Sequence, residues 1–273
     1  MDVAVEEHYT RPDLVEAIGE ALQRAGKDLA HLQPPDLAAV DEFHIRGRQA
    51  TLELANRIKP APTDRVLDIG SGLGGASRAL AATYGCHVTG VDLTEEYCRT
   101  ARQLAEWVGL GDHVTYQQAN ALDLPFPDGS FDIAWTQHVA MNIPDKATMY
   151  REAFRVLKPG GVFALYDVLQ GSGGEVIFPV PWARDPSISH LVTPAELRSL
   201  LEQAGFEVEY WQDTTAAGRD WFIEVDRRLQ ENGPPPVSFV LLMGPEFKTM
   251  AANQRRNLEE NRIALIETVC RKR

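Results

Sequence analysis

Two hydrophobic periods divide this chain. Leu14, Ile18 and Leu22 recur at helical spacing, as do Ala50, Leu54 and Ile58 in GRQATLELANRI. Both patterns predict helices that bury one face. Between them LQPPDLAAVDEF interrupts the pattern at Pro34 and Pro35, and KPAPTD reads as a linker. From Arg65 short apolar runs take over. RVLDIG, HVTGVD, HVTYQQAN, FDIAWTQ and VFALYDVL read as strands, with GGASRALAATYG, TEEYCRTARQLAEWVG and DKATMYREAFRVL as helices between them. Thr94 is the expected N-cap of the second of these helices, Asp145 opens the third and KPGG stops it. Strand and helix in alternation predict a doubly wound α/β sheet. Farther on, QGSGGEVIFPVPWARDPSISHLV holds too many prolines and glycines for a regular element. TPAELRSLLEQAGF follows as a helix, with Thr193 as N-cap, Pro194 at the first position and Glu196 closing a capping box. EVEYWQD reads as a strand, TTAAGRDWFIEVDRRLQEN and PEFKTMAANQRRNLEEN as helices, and IALIETVCRK as a closing strand.

The first strand runs into LDIGSGLGG. Residues 70–75 fit G-x-G-x-x-G, which suits a dinucleotide site or a tight turn with no ligand. Asp92, ending the next strand, can accept both hydroxyls of a ribose or simply lead the following helix. Asp68 bears on which cofactor would fit. A pyrophosphate sits at a helix N-terminus, and a carboxylate just before the turn would repel it. S-adenosylmethionine carries a sulfonium, an ammonium and no phosphate, so the same carboxylate attracts it.

Composition narrows the partners. The chain has 273 residues, 44% hydrophobic and 24% charged, an ordinary globular balance. A net charge of -12 argues against a nucleic-acid surface. No apolar run is long enough to span a bilayer and no signal peptide is visible, so membrane insertion is not expected and a cytoplasmic location is. Cys86, Cys98 and Cys270 are too scattered for a disulfide framework or a metal site. A small-molecule acceptor is the expected partner, and a homo-oligomer stays open.

VLDIGSGLGG, VTGVDLT, ANALDLPFPDGSFDIAWTQ and REAFRVLKPGGVFALYD, in that order over Lys59 to Leu169, resemble the class I S-adenosylmethionine-dependent methyltransferases. DEFHIRGR, QHVAMNIPDK, PVPWARDP and LLMG are most similar to the sarcosine/dimethylglycine branch, beside ubiquinone- and tocopherol-type enzymes. The resemblance implies a seven-stranded Rossmann-like sheet, mostly parallel with the last strand antiparallel. It implies an N-terminal helical lid over 1–58 and a catalytic domain over 59–273, with a small acceptor cap from insertions around 170–192 and 216–245. It places the methionine part against Asp68, Gly70 and Gly72, the ribose on Asp92 and the adenine against Leu93. Asn120, followed by Ala121 and Leu122, stands where the family commonly has an Asp that accepts from the adenine amine. Gln137 matches the position beside the methyl group.

The implied reaction is methyl transfer to a small molecule, an amine such as sarcosine or dimethylglycine first, a quinol, phenol or prenyl-type precursor as the alternative. His138, next to Gln137, is the candidate base, or a histidine satisfied by local bonds. His44 lies over the cofactor or on the surface. Phe178 and Trp182 line an acceptor pocket or pack under a loop. Tyr9 belongs to a lid or to a frayed terminus. A nicotinamide-dependent dehydrogenase, a silent cofactor-binding module and aminopropyl transfer are the rival functions.

Overall fold

The computed structural model describes residues 2–9, 11 and 13–273. In chain order the helices and strands are α1 (Asp2–Tyr9), α2 (Leu14–Arg24), α3 (Pro34–Asp41), α4 (Gly47–Ile58), β1 (Arg65–Ile69), α5 (Gly75–Tyr84), β2 (His87–Asp92), α6 (Glu95–Trp107), β3 (Val114–Gln118), β4 (Phe131–Gln137), α7 (Lys146–Val156), β5 (Leu157–Gln170), α8 (Pro194–Gln203), β6 (Phe206–Asp213), α9 (Thr215–Asn232), α10 (Val240–Met243), α11 (Phe247–Glu259) and β7 (Ile263–Lys272). The strands form one sheet in the order β3-β2-β1-β4-β5-β7-β6. β1 pairs in parallel with both β2 and β4, while β7 runs antiparallel between β5 and β6. The expected doubly wound sheet, with its last strand reversed, is therefore present.

From β1 the chain winds outward to β2 and β3, then returns to place β4 on the other side. This reversal opens a crevice beyond the C-terminal ends of β1 and β4, the usual ligand position in such sheets. The two-residue strand period assigns the faces. Leu67 and Ile69 of β1 pack with Met149 of α7 and Leu197 of α8. Val66 packs on the opposite side with Leu54 of α4, Leu80 of α5 and Cys98 of α6. Asp68 shares the face of Val66 and so lies under α5, whose Ser77 hydroxyl donates to its Oδ2 at 2.6 Å. A third apolar cluster joins α2 and α3 to Tyr97 and Leu104 of α6 and to Leu242 and Met250 near the C-terminal end.

Local structure departs from the sequence reading in several places, the short helices α1 and α10 among them. Pro34 and Pro35 begin α3 rather than interrupting it: they occupy its first turn, where no amide donor is needed, and Asp36 Oδ2 accepts the Gln33 amide at 2.8 Å. Thr94 has the N-cap position of α6, but its side chain makes no cap bond. Its own amide donates to Asp92 Oδ1 at 3.0 Å. KPGG is absorbed into β5, which starts at Leu157 with an irregular register against β4. The Thr193–Glu196 capping box of α8 and the Asp145 cap of α7 form as expected. No helix among the described residues is long and apolar enough to cross a membrane.

Candidate active site

The glycine turn after β1 is shaped by its neighbours. Gly70 has φ 73°, and a Cβ there would come within 2.3 Å of Val139 in the turn after β4. The two strand-end turns therefore touch across the crevice. Gly72 also has a positive φ, 53°, yet a Cβ there would meet nothing within 4 Å. Its bare backbone faces open space, which suits close approach by a ligand. Asp92 is locked against this turn: its Oδ2 accepts the Gly72 amide at 2.9 Å and its Oδ1 that of Thr94. A carboxylate has about four acceptor positions, so two remain. The buried Arg78 guanidinium ties the turn to the end of α3, donating to the Leu73 carbonyl and to Asp41 Oδ2, each at 2.6 Å.

These groups line a cavity of about 220 Å³. It gathers residues from distant parts of the chain: Asp68, Gly70, Gly72, Asp92, Leu93, Asn120, Ala121, Leu122, Gln137 and His138 from the strand ends, and Tyr9, His44 and Trp182 from outside them. Phe178 stands off the wall, half-buried against the core. Asn120 Oδ1 accepts the Leu122 amide at 2.9 Å. Burial, and then the charge of Asp92, pushes the Asp68 carboxyl up to about 7. Burial likewise raises Asp92, against the pull of the Thr94 and Gly72 amides. Among the described residues the wall has three carboxylates, Asp41, Asp68 and Asp92, and neither lysine nor arginine. Arg78 neutralises Asp41 from behind.

At the end of β4, Gln137 Oε1 accepts from Trp135 Nε1 at 3.1 Å and from Thr51 Oγ1 at 3.0 Å. His138 turns the chain with φ 52°, a left-handed conformation, while its amide donates to the Tyr166 carbonyl at 2.8 Å. Its ring packs against Tyr166 and His44, with centroids 4.8 and 5.8 Å away. Burial, and secondarily His44, holds its imidazole well below the ordinary histidine range. Burial lowers His44 to about 4. Both rings are neutral at pH 7. His44 Nε2 lies 3.0 Å from the Gly47 carbonyl and 3.7 Å from Glu42 Oε2, a buried carboxyl raised to about 8 by desolvation and Asp41.

Among the described residues, four on the wall carry buried polar atoms with no hydrogen-bond partner in the protein: Asp41 Oδ1, Ser71 Oγ, Tyr97 Oη and His138 Nε2. Sequence reasoning passed over Ser71 and Tyr97. Ser71 sits inside the quoted turn, and Tyr97 in the first turn of the helix after Asp92, so position relative to the motif was the available signal. It also passed over Asn142, which joins the cover to the sheet. Tyr9 Oη donates to Asn142 Oδ1 at 3.1 Å, and Asn142 Nδ2 donates to the Trp182 and Ile188 carbonyls, each at 2.8 Å. His8 Nε2 lies 3.0 Å from the Pro181 carbonyl, and Arg11 Nε donates to the Leu242 carbonyl at 2.7 Å. α1 is thus bound to Asn142 and to the proline-rich segment at Pro181, and Arg11, beyond its end, to Leu242.

A methyltransferase-domain family model matches residues 67–165, the stretch that supplies the glycine turn, Asp92, Gln137 and His138. The 27-O-demethylrifamycin SV methyltransferase of Amycolatopsis mediterranei is 31% identical over 183 residues, covering 66% of this chain and 67% of that protein. The chain belongs to the S-adenosylmethionine-dependent methyltransferase family. The glycine/sarcosine/dimethylglycine N-methyltransferase of Actinopolyspora halophila is 32% identical over 183 residues, 67% of this chain but 29% of that protein. For four of the curated relatives it matches, this family member spans only 29% to 55% of their length. In fold it is similar to the geranyl diphosphate C-methyltransferase of Streptomyces coelicolor A3(2), with a TM-score of 0.71, 17% identity and coverage of 100% of this chain and 98% of the other. The residues present fit the family's cofactor: an open glycine backbone, two carboxylates without a cationic partner on the wall, and unpartnered hydroxyls at Ser71 and Tyr97.

Proposed function

We propose that this protein transfers the methyl group of S-adenosylmethionine to a small-molecule acceptor held beside Gln137 and His138. The observation that carries this reading is the pairing of Asp68 and Asp92 around the Gly72 backbone, on a wall without lysine or arginine among the described residues. That charge pattern attracts a sulfonium and an ammonium and repels the pyrophosphate of a nicotinamide cofactor.

In this reading Asp92 takes the ribose hydroxyls, Asp68, Gly70 and Gly72 hold the amino-acid end, and Leu93, Ala121 and Leu122 enclose the adenine, with Asn120 at its edge. When bound, S-adenosylmethionine supplies a methyl carbon whose bond to sulfur breaks, with its electron pair going to sulfur, as the acceptor's lone pair forms the new bond. The protein's work is to align the acceptor and exclude water. Gln137, fixed by Trp135 and Thr51, orients groups at the end of β4. His138, neutral at pH 7 with an unpartnered Nε2, takes the acceptor's proton and returns it to solvent. This favours an acceptor that loses a proton from oxygen or carbon over one that needs only to arrive as a neutral amine.

The helical segment 1–58 acts as the lid, with α1 as its moving part. A cavity of about 220 Å³ is below the usual size for a drug-sized ligand alone. Cofactor and acceptor together require the Tyr9, His8 and Arg11 contacts to open and close.

The test is incubation with methyl-labelled S-adenosylmethionine over glycine derivatives, phenols, quinols and prenyl compounds, read by mass spectrometry. Acceptor-dependent formation of S-adenosylhomocysteine and a labelled product is the expected result. Cofactor binding with no transfer to any class would contradict the reading and favour a silent binding module.

A further inference from the structure

We infer that the acceptor is an uncharged, predominantly apolar molecule, which excludes carboxylate- and phosphate-bearing substrates from this site. The inference rests on the methyl-transfer reading and narrows its substrate class. It comes from the part of the cavity that the cofactor residues do not form. That part is built by Phe43 between α3 and α4, Trp221 and Phe222 of α9, Phe239 and Leu242 at α10, and Phe247 of α11. Phe43, Phe239 and Phe247 form one aromatic cluster, with centroids 4.7 to 6.2 Å apart. Two neutral amides stand among the same lining residues, Gln254 and an Asn142 already bonded to Tyr9, Trp182 and Ile188.

An anionic acceptor would need a counter-ion here, because a buried charge without a partner is strongly disfavoured. Among the described residues no lysine or arginine lines this wall. Of the arginines nearby, Arg78 pairs with Asp41, Arg46 with Glu53, Arg48 with Glu42 and Arg184 with Glu246, while Arg11 keeps its charge but lies off the wall, its Nε donating to the Leu242 carbonyl. His44 and His138 do not substitute for them, since burial keeps both neutral. The carboxylates Asp68 and Asp92 add repulsion for any anion that enters. A free amino acid such as dimethylglycine, a phosphorylated amine or a prenyl diphosphate would each bring an unpaired anion onto this wall. An alcohol, phenol or enol on an apolar skeleton brings none, and presents its hydroxyl to His138 Nε2.

Head-group charge can be tested at constant chain length. Protein saturated with S-adenosylhomocysteine is titrated by calorimetry with octanol, octanoate and octyl phosphate, and separately with dimethylglycine. Octanol should bind at least tenfold more tightly than either anion, and dimethylglycine should give no measurable heat. Phe239→Ser and Phe247→Ser should each weaken octanol several-fold while the affinity for S-adenosylhomocysteine is unchanged, which also reports an intact fold. Equal or tighter binding of octanoate, octyl phosphate or dimethylglycine would overturn the inference, as would failure of octanol to bind protein that does bind S-adenosylhomocysteine. Failure of S-adenosylhomocysteine itself to bind would instead count against the methyl-transfer reading.

Discussion

The two ends of the cavity are built by different means. At one end the wall is made by the C-terminal tips of adjacent strands, and the backbone fixes its polar groups. Asp92 is held by the Gly72 and Thr94 amides, Asp68 by Ser77, and Asn120 by the Leu122 amide. At the other end the wall comes from α9 to α11 and the segment before α4, and consists mainly of aromatic rings packed on one another. A site braced by a sheet suits one invariant ligand. A wall of helix-borne rings changes shape by substituting side chains, with little backbone at stake, so acceptor choice can vary while the cofactor end stays constant. α1 touches Asn142 through Tyr9.

The largest effect should fall where the two ends meet. His138→Ala removes the proposed proton acceptor and should lower turnover by about 10²-fold or more, while the calorimetric affinity for cofactor barely changes. Because burial lowers the His138 pKa, wild-type turnover at saturating cofactor should be flat with pH above the ordinary histidine range and fall only in more acidic buffer. Normal turnover in the variant, with a pH profile that follows the acceptor, would assign the site to amines methylated by positioning alone.

Within the proposed cofactor end, Asp92→Ala removes the carboxylate proposed to accept two ribose hydroxyls, worth up to about 1.5–3 kcal/mol each. It also strands the Gly72 and Thr94 amides. Cofactor affinity should drop at least tenfold, with a retained cooperative melt. An unchanged dissociation constant would reduce Asp92 to a structural acid at the start of α6.

Asp68 sharpens the contrast through pH. Its carboxyl, pushed up to about 7 by burial and Asp92, is protonated below that value and ionised above it in the free protein. A cationic ligand favours the ionised form, so affinity for S-adenosylmethionine should rise by up to about tenfold between pH 6 and pH 8. Asp68→Asn should flatten this dependence. A pH-independent wild type, or affinity that rises toward acid, would contradict the role given to Asp68. The smallest effect belongs to the lid. Tyr9→Phe removes one hydrogen bond to Asn142, about 1 kcal/mol. It should accelerate cofactor release a few-fold in stopped-flow experiments without altering the acceptor preference.

The same division explains what could be read without coordinates. The strands and the cofactor motif are local patterns: an apolar run, a glycine turn, an acid at the next strand end. Each strand forms within a few residues of where its alternation places it. α3 is not legible from the pattern because paired prolines read as a break, although prolines fit the first helical turn and Asp36 Oδ2 accepts the Gln33 amide before them. α1 has no pronounced apolar stripe along DVAVEEHY and is held by the contacts of His8 and Tyr9. The proposed acceptor wall was legible only coarsely, as a cap around 216–245 and the DEFHIRGR motif, since Phe43, Trp221, Phe239 and Phe247 come together through the packing of separate helices. Trp182 reaches the cavity from the proline-rich segment, whereas Phe178, four residues earlier, packs against the core instead.

The central claim is that the carboxylate-lined end is built for a cationic adenosyl cofactor. Isothermal titration of the wild-type protein with S-adenosylmethionine, S-adenosylhomocysteine and NAD tests it most directly. The account predicts saturable binding of the first two and far weaker binding of NAD. Tighter binding of NAD than of either adenosyl ligand would contradict it.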